Sequence, residues 1–183
     1  MKTLKEYIIE WSSLGGYTYD YEKYHNVDNL EGKELEEAAK YEFEEIKNVA
    51  SDFKHYTKVK PGQCKAFFNV PALIKYIGLN DKLKTDVQAI SIDVLCKNSF
   101  PRFSRYNIVA GSHKSLTSVG LDVGGMDAYT IAEGDELECK SAAEIIKTYI
   151  KPIVSDFKHF CKWLESGLTN GKYWNRRTGE GLK

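Results

Sequence analysis

The chain lacks the signatures that would name a reaction. None of G-x-G-x-x-G, G-x-x-x-x-G-K-[S/T], H-E-x-x-H or G-x-S-x-G occurs in its 183 residues. The dinucleotide cradle, the phosphate loop, the two-histidine zinc helix and the serine elbow are therefore missing in the forms a sequence reveals. Cys64, Cys96, Cys139 and Cys161 form no C-x-x-C pair, so the expectation is reduced thiols in a cytoplasmic protein rather than a disulfide or zinc framework. The opening Met1–Ser13 is too short in its apolar run, and too charged, for a secretory leader or a membrane span. No acid lies between Asp93 and Asp122, and no base lies in 122–138. With a formal net charge of zero there is no bulk attraction to a phosphate backbone.

What is present fits a single α+β domain over 1–183. Apolar residues make up 42% and charged residues 28%, ordinary for a globular chain long enough to bury a core unaided. Tyrosine is plentiful at 12 residues, and it suits surfaces that are apolar at one end and hydrogen-bonding at the other. Charge falls in blocks: residues 1–57 carry 13 acids against 7 bases, and 58–121 carry 10 bases against 3 acids. Either the blocks are solvated faces that complement one another, or one basic face meets a partner.

The most telling feature is an internal repeat. EGKELE at Glu31–Glu36 returns as EGDELE at Glu133–Glu138, and SDFKH at Ser51–His55 returns unchanged at Ser155–His159. With a two-residue gap at Cys139 and Lys140, the units 31–58 and 133–162 share 15 identities over 28 positions. Both read as long helices. Ala39, Phe43, Ile46, Val49, Phe53 and Tyr56 make the apolar stripe of the first, and Ile146, Ile150, Ile153, Phe157, Phe160 and Leu164 that of the second. Pro152 should kink the second helix or make it begin afresh. Phe53 and Phe157 are expected inside.

Between the repeats, Asn69 reads as the N-cap of a helix from Val70-Pro71 to Ile77, closed by Gly78. Residues 83–96 fit helix and strand alike, and the absence of a turn signal favours helix. Runs at 105–110, 116–123 and 128–132, separated by glycine pairs or Gly-Ser, suggest a small antiparallel meander. An amphipathic helix is expected over 3–13, and a mobile basic, aromatic tail over 168–183.

Several constellations could carry chemistry. Asp52 with His55, and Asp156 with His159, stand three apart; on facing helices they would form a two-carboxylate, two-histidine metal site. The plainer reading is exposed polar pairs or local caps. PGQCKAFF around Cys64 mildly resembles papain-like cysteine hydrolases, in which Gly-Gln-Cys precedes an aromatic helix; that likeness implies Cys64 as nucleophile with His113 as its base. A small buried cysteine is the ordinary alternative. Lys97, Arg102, Arg105 and Lys114, with Lys172, Trp174, Arg176 and Arg177, interleave cations and rings as a nucleic-acid surface would. The tail aromatics could equally complete the core. Tyr17, Tyr19, Tyr21 and Tyr24 are too polar in pattern to be all core, and they make the expected contact surface for a protein partner.

The first expectation is thus a non-enzymatic protein-binding protein without cofactor. By compositional analogy it is like the inhibitors that phages and mobile elements direct at host machinery, defence nucleases among them. Nucleic-acid binding, and a cysteine or metal-dependent enzyme, are the alternatives.

Overall fold

The computed structural model describes residues 27–96, 103–112, 116, 127–138 and 141–175. The helix expected over 3–13, Tyr17, Tyr19, Tyr21 and Tyr24, and Lys97, Arg102, His113, Lys114, Arg176 and Arg177 lie outside them. The described residues form an α+β fold with a single antiparallel sheet. Its strands are β1 (Thr57–Lys60), β2 (Gln63–Asn69), β3 (Ala89–Cys96), β4 (Phe103–Gly111), β5 (Asp127–Glu138) and β6 (Lys172–Asn175), and each pairs with its successor in sequence. The helices are α1 (Gly32–Ala50), α2 (Pro71–Ile77), α3 (Ala142–Ile145), prolonged by a π turn over Ile146–Ile150, and α4 (Phe157–Asn170).

Alternation decides the sheet. Cys64, Ala66 and Phe68 of β2 stand opposite Val94, Ile92 and Ile90 of β3, which in turn face Tyr106, Ile108 and Ala110 of β4. This row joins one core cluster with Phe43 and Ile46 of α1, Ile145 of α3, Ile146 and Ile150 of the π turn, and Phe160 and Leu164 of α4. Residues 89–96 are therefore strand, where a helix was expected. Their β-branched side chains are flanked on both sides by hydrogen-bonding neighbours, and that tertiary pairing overrides an ambiguous local pattern. On the other face Ala89, Val109, Leu116 and Ala128 form a smaller cluster with Phe67.

The repeated segments do not become two long helices. Glu31–Glu36 opens α1, with Gly32 at φ +52. The matching Glu133–Glu138 is the second half of β5, paired from Asn107↔Glu133 to Phe103↔Glu138. The glycine of each copy serves a different need. A Cβ on Gly134 would lie 2.4 Å from Cε1 of Tyr106, so only glycine lets that ring lie across the strand. The second copy's helical part is divided: the capping box of Ser141 and Glu144 starts α3, the π turn follows, and α4 begins afresh five residues past Pro152.

SDFKH likewise meets two fates. α1 ends at Ala50, so Asp52 caps only the 3-10 turn Phe53–His55 that leads into β1. Phe53 is then 39% exposed, against the expectation that it is core. Tyr56 is buried instead, its hydroxyl donating to the Ala50 carbonyl at 2.9 Å. Phe157, one residue inside α4, packs edge-on against Phe43 with ring centroids 5.6 Å apart. Within the expected tail, Lys172–Asn175 forms β6 and pairs with Asp127–Thr130 of β5.

α2 has an unusual start. Asn69 is the last residue of β2 rather than the N-cap, and the capping residue Val70 offers no side-chain acceptor. The acceptor comes from α1: the buried Glu42 carboxylate receives the N–H of Ala72 at 3.0 Å and of Leu73 at 2.7 Å. Burial pushes the Glu42 carboxyl up to about 8, aided by nearby Glu45, against the two N–H donors that favour the ionised form. At the other end Gly78, at φ +75, closes the helix with its N–H directed to Ile74 and Lys75.

A raised folded-state pKa means that the native protein keeps a proton which the unfolded chain has already lost. Glu42's contribution is full below its ordinary value of 4.5 and declines as pH climbs towards about 8. Urea unfolding at a series of pH values should show stability falling through this window, and Glu42→Gln should flatten that fall. Gln also turns an N–H toward a helix donor, so the variant should be roughly 1–3 kcal/mol less stable at low pH.

Candidate functional site

An open groove of about 560 Å³ lies between α4 and the outer edge of β5. Its helical wall is one face of α4: His159, Lys162, Trp163, Ser166 and Asn170 recur at spacings of three and four. The opposite wall is Thr130–Glu133 of β5, and Gly171 and Lys172 close one end. The helix is held close by Gly167, whose added Cβ would stand 3.0 Å from Cβ of Ile131. Gly171 is still tighter: an added Cβ there would come within 2.8 Å of the Thr130 carbonyl oxygen.

Trp163 is the groove's large aromatic. It is half-buried and stacks on Phe160 with centroids 5.5 Å apart, and Phe160 in turn meets Phe43 at 5.5 Å. Among the described residues no acceptor receives its indole N–H. The charges around it are Lys162, exposed on α4, and Lys172, which approaches Glu133, the single acid on the wall, at 3.5 Å. Lys162 has no ion-pair partner among the described residues. A half-buried ring beside the exposed Lys162, over an apolar floor, has the make-up of a contact surface.

The remaining candidate residues are scattered. Cys64 is the second residue of β2, with its side chain in the core, not at a helix N-terminus. Burial pushes its thiol up to about 11, the wrong direction for a nucleophile, so the hydrolase likeness is not matched by the local structure. Asp52 and Asp156 act as caps: Asp52 accepts the Lys54 N–H at 3.2 Å and Asp156 the His159 N–H at 3.0 Å. Among the described residues no three His, Cys, Asp or Glu side chains come together as metal ligands, and the two Asp–His pairs do not converge. Helices of different length and start explain this, since a shared pentapeptide is no guarantee of a shared axis.

The basic residues that are described do not form one stripe. Arg105 lies beside Asp93 on the sheet face away from the helices, while Lys172 is engaged with Glu133. Trp174 is half-buried and donates its indole N–H to Oγ1 of Thr130 at 3.0 Å, so its ring completes the sheet edge. Tyr173 does the same from the other side, its hydroxyl donating to Asp127 at 2.9 Å.

The sequence reading singled out His159 and Lys172, for other roles, but missed Lys162 and Trp163. The available signal was the α4 face itself: a tryptophan at the border between the stripe of Phe160, Leu164 and Leu168 and the polar residues His159, Lys162 and Ser166. One further polar pair was also missed. Asp93 and Asn107 stand directly opposite on β3 and β4, and an Oδ1 of each is buried without a hydrogen-bond partner. Burial raises the Asp93 carboxyl despite Lys65 and Arg105 nearby, and a proton on it would supply the missing donor.

Comparison with family models, curated proteins and solved structures gave no match.

Two substitutions test these placements. Asp156→Ala should cost about 1 kcal/mol through loss of the α4 cap, whereas Asp52→Ala should cost a few tenths, because it caps a single 3-10 turn; thermal unfolding of both variants compares them. In a thiol titration Cys64 should stay unreactive in the native protein and become reactive only in denaturant, and Cys64→Ala should leave partner capture intact.

Proposed function

We propose that this protein is a non-enzymatic binding protein that captures a protein partner through the groove between α4 and β5. The observation that carries the reading is Trp163, a half-exposed ring whose indole N–H meets no acceptor among the described residues, set beside the exposed Lys162 over an apolar floor. Large aromatics next to cations are the usual energetic centres of protein interfaces. The compositional analogy with phage and mobile-element inhibitors of host machinery is in keeping with this role, since such proteins act by occupying a partner rather than by chemistry.

The test places a photoreactive amino acid at the exposed position 166 in the groove and, as a control, at the exposed position 33 on α1, in cells that make the protein. A discrete adduct with one cellular protein is expected from position 166 and not from 33. Trp163→Ala should lower its yield about tenfold or more, as loss of an interface anchor does. No adduct at 166, or an equal one at 33, would remove the groove from consideration.

A further inference from the structure

We propose that Lys65 has two alternative acceptors on the sheet face turned away from the helices, and that the proton on Asp93 decides between them. With Asp93 neutral, Lys65 holds the Leu116 carbonyl; with Asp93 ionised, it moves to that carboxylate and lets Leu116 go. The device is independent of the groove and of what the groove binds.

Register brings the parts together. Lys65 of β2 stands directly opposite Asp93 of β3, Asp93 opposite Asn107 of β4, and Asn107 opposite Glu133 of β5. Residues paired in this way lie about 5 Å apart at Cα and project from the same side of the sheet, within side-chain reach of one another. Their strand neighbours Cys64, Val94 and Ile108 turn the other way, into the core beneath the helices.

The hydrogen bonds then run in an unexpected direction. Among the described residues Lys65 makes no ion pair with the acid that faces it; its Nζ donates to the Leu116 carbonyl at 2.9 Å. Oδ1 of Asp93 and Oδ1 of Asn107 are meanwhile both buried without a partner. Two facing acceptors cannot satisfy each other. A proton on Asp93 supplies the donor that Asn107 needs and removes the charge that would draw Lys65 across. The arrangement is thus the one proper to the neutral acid. Once ionised, Asp93 offers Lys65 a charge-assisted bond about twice as strong as one to a neutral carbonyl, and the flexible lysine stem can swing between the two.

The surroundings favour the proton at low pH only. Burial raises the Asp93 carboxyl above its ordinary value of 3.8, against Lys65, a Gln63 side-chain hydrogen bond and Arg105. These groups, with Asn107 and the Lys172-bound Glu133 beyond it, face Asp93 from β2, β4 and β5. A folded-state value above the unfolded one means that the Lys65–Leu116 bond is full below 3.8 and is lost as pH climbs through the folded value. What is lost is a tie between distant parts. Leu116 is the one described residue between Ser112 and Asp127, buried against Phe67, Ala89, Val109 and Ala128, with its N–H donating to the Ser112 carbonyl at 3.2 Å. Lys65 therefore joins β2 to the connection between β4 and β5.

Nuclear magnetic resonance of the full chain tests this by following the Asp93 carboxyl carbon, Lys65 Nζ and the Leu116 amide from about pH 3 to about pH 8. One shared titration step is expected. Across it, hydrogen exchange at Leu116, corrected for its intrinsic pH dependence, should quicken about five- to tenfold, the worth of one hydrogen bond. Asp93→Asn is isosteric and its amide can donate to Asn107, so it should fold, lose the step and keep Leu116 protected throughout. Lys65→Met should leave Leu116 unprotected at every pH while Asp93 still titrates. The separate Glu42 step towards about 8 should survive in both variants. If Asp93 titrates without a response at Lys65 and Leu116, the lysine is a fixed strut and the proposal fails. It fails equally if Asp93→Asn keeps the Leu116 step, since another group then drives it.

Discussion

Phe43 is the joint on which the arrangement of helices depends. Its ring lies between Phe157 and Phe160, at 5.6 and 5.5 Å, and so fastens α1 to the first turns of α4 over the row of β2, β3 and β4 side chains. Aromatic contacts of this kind add about 1 kcal/mol each beyond the area they bury, and truncating such a buried ring costs several. The joint does more than cover the sheet. Because Phe160 also stacks on Trp163, the buried ring column continues to the wall of the groove, where the last ring is half open to solvent. The position of the candidate anchor is set by the core.

Much of the architecture was legible because burial repeats with a clear period. The stripes Ala39–Phe43–Ile46 and Phe160–Leu164 declared their helices, and Pro152 declared the break between α3 and α4. Gly78 declared the end of α2. The misreadings share one cause, which is that local sequence underdetermines structure wherever a neighbour can supply the hydrogen bonds. EGDELE differs from EGKELE at one position, yet it lies beside β4 and becomes strand, while EGKELE has no such neighbour and becomes helix. SDFKH caps a turn in one place and a 14-residue helix in the other. Asn69 was displaced as a cap by a carboxylate from a different helix, something no window of adjacent residues contains. The groove was hidden for the same reason: its walls are far apart in sequence, and Trp163 reads as ordinary core until β5 is placed opposite.

Glu42 shows how a polar group is accommodated in the core. It stands on the buried face of α1, where a leucine would satisfy the stripe, and instead satisfies two donors at the start of a seven-residue helix too short to be stable alone. α2 packs on α1 through Ala72 and Ala38, two small side chains that allow a close approach. The carboxylate thus fixes both where α2 starts and how near it lies. Tyr76 at its far end touches Phe157 with centroids 5.5 Å apart, which ties this helix as well to the beginning of α4.

The order of strands bears on how the molecule assembles. Since every strand pairs with its successor, the sheet can grow by closing one connection at a time, and each closure restrains only the intervening chain. The ring contact between Phe43 and Phe157 is of another kind, joining parts of the chain separated by the whole meander. Contacts so distant in sequence carry the largest entropic cost and tend to form late. Docking of α4 therefore carries a loop-closure cost that the pairings within the meander do not, and the wall it gives the groove depends on that closure.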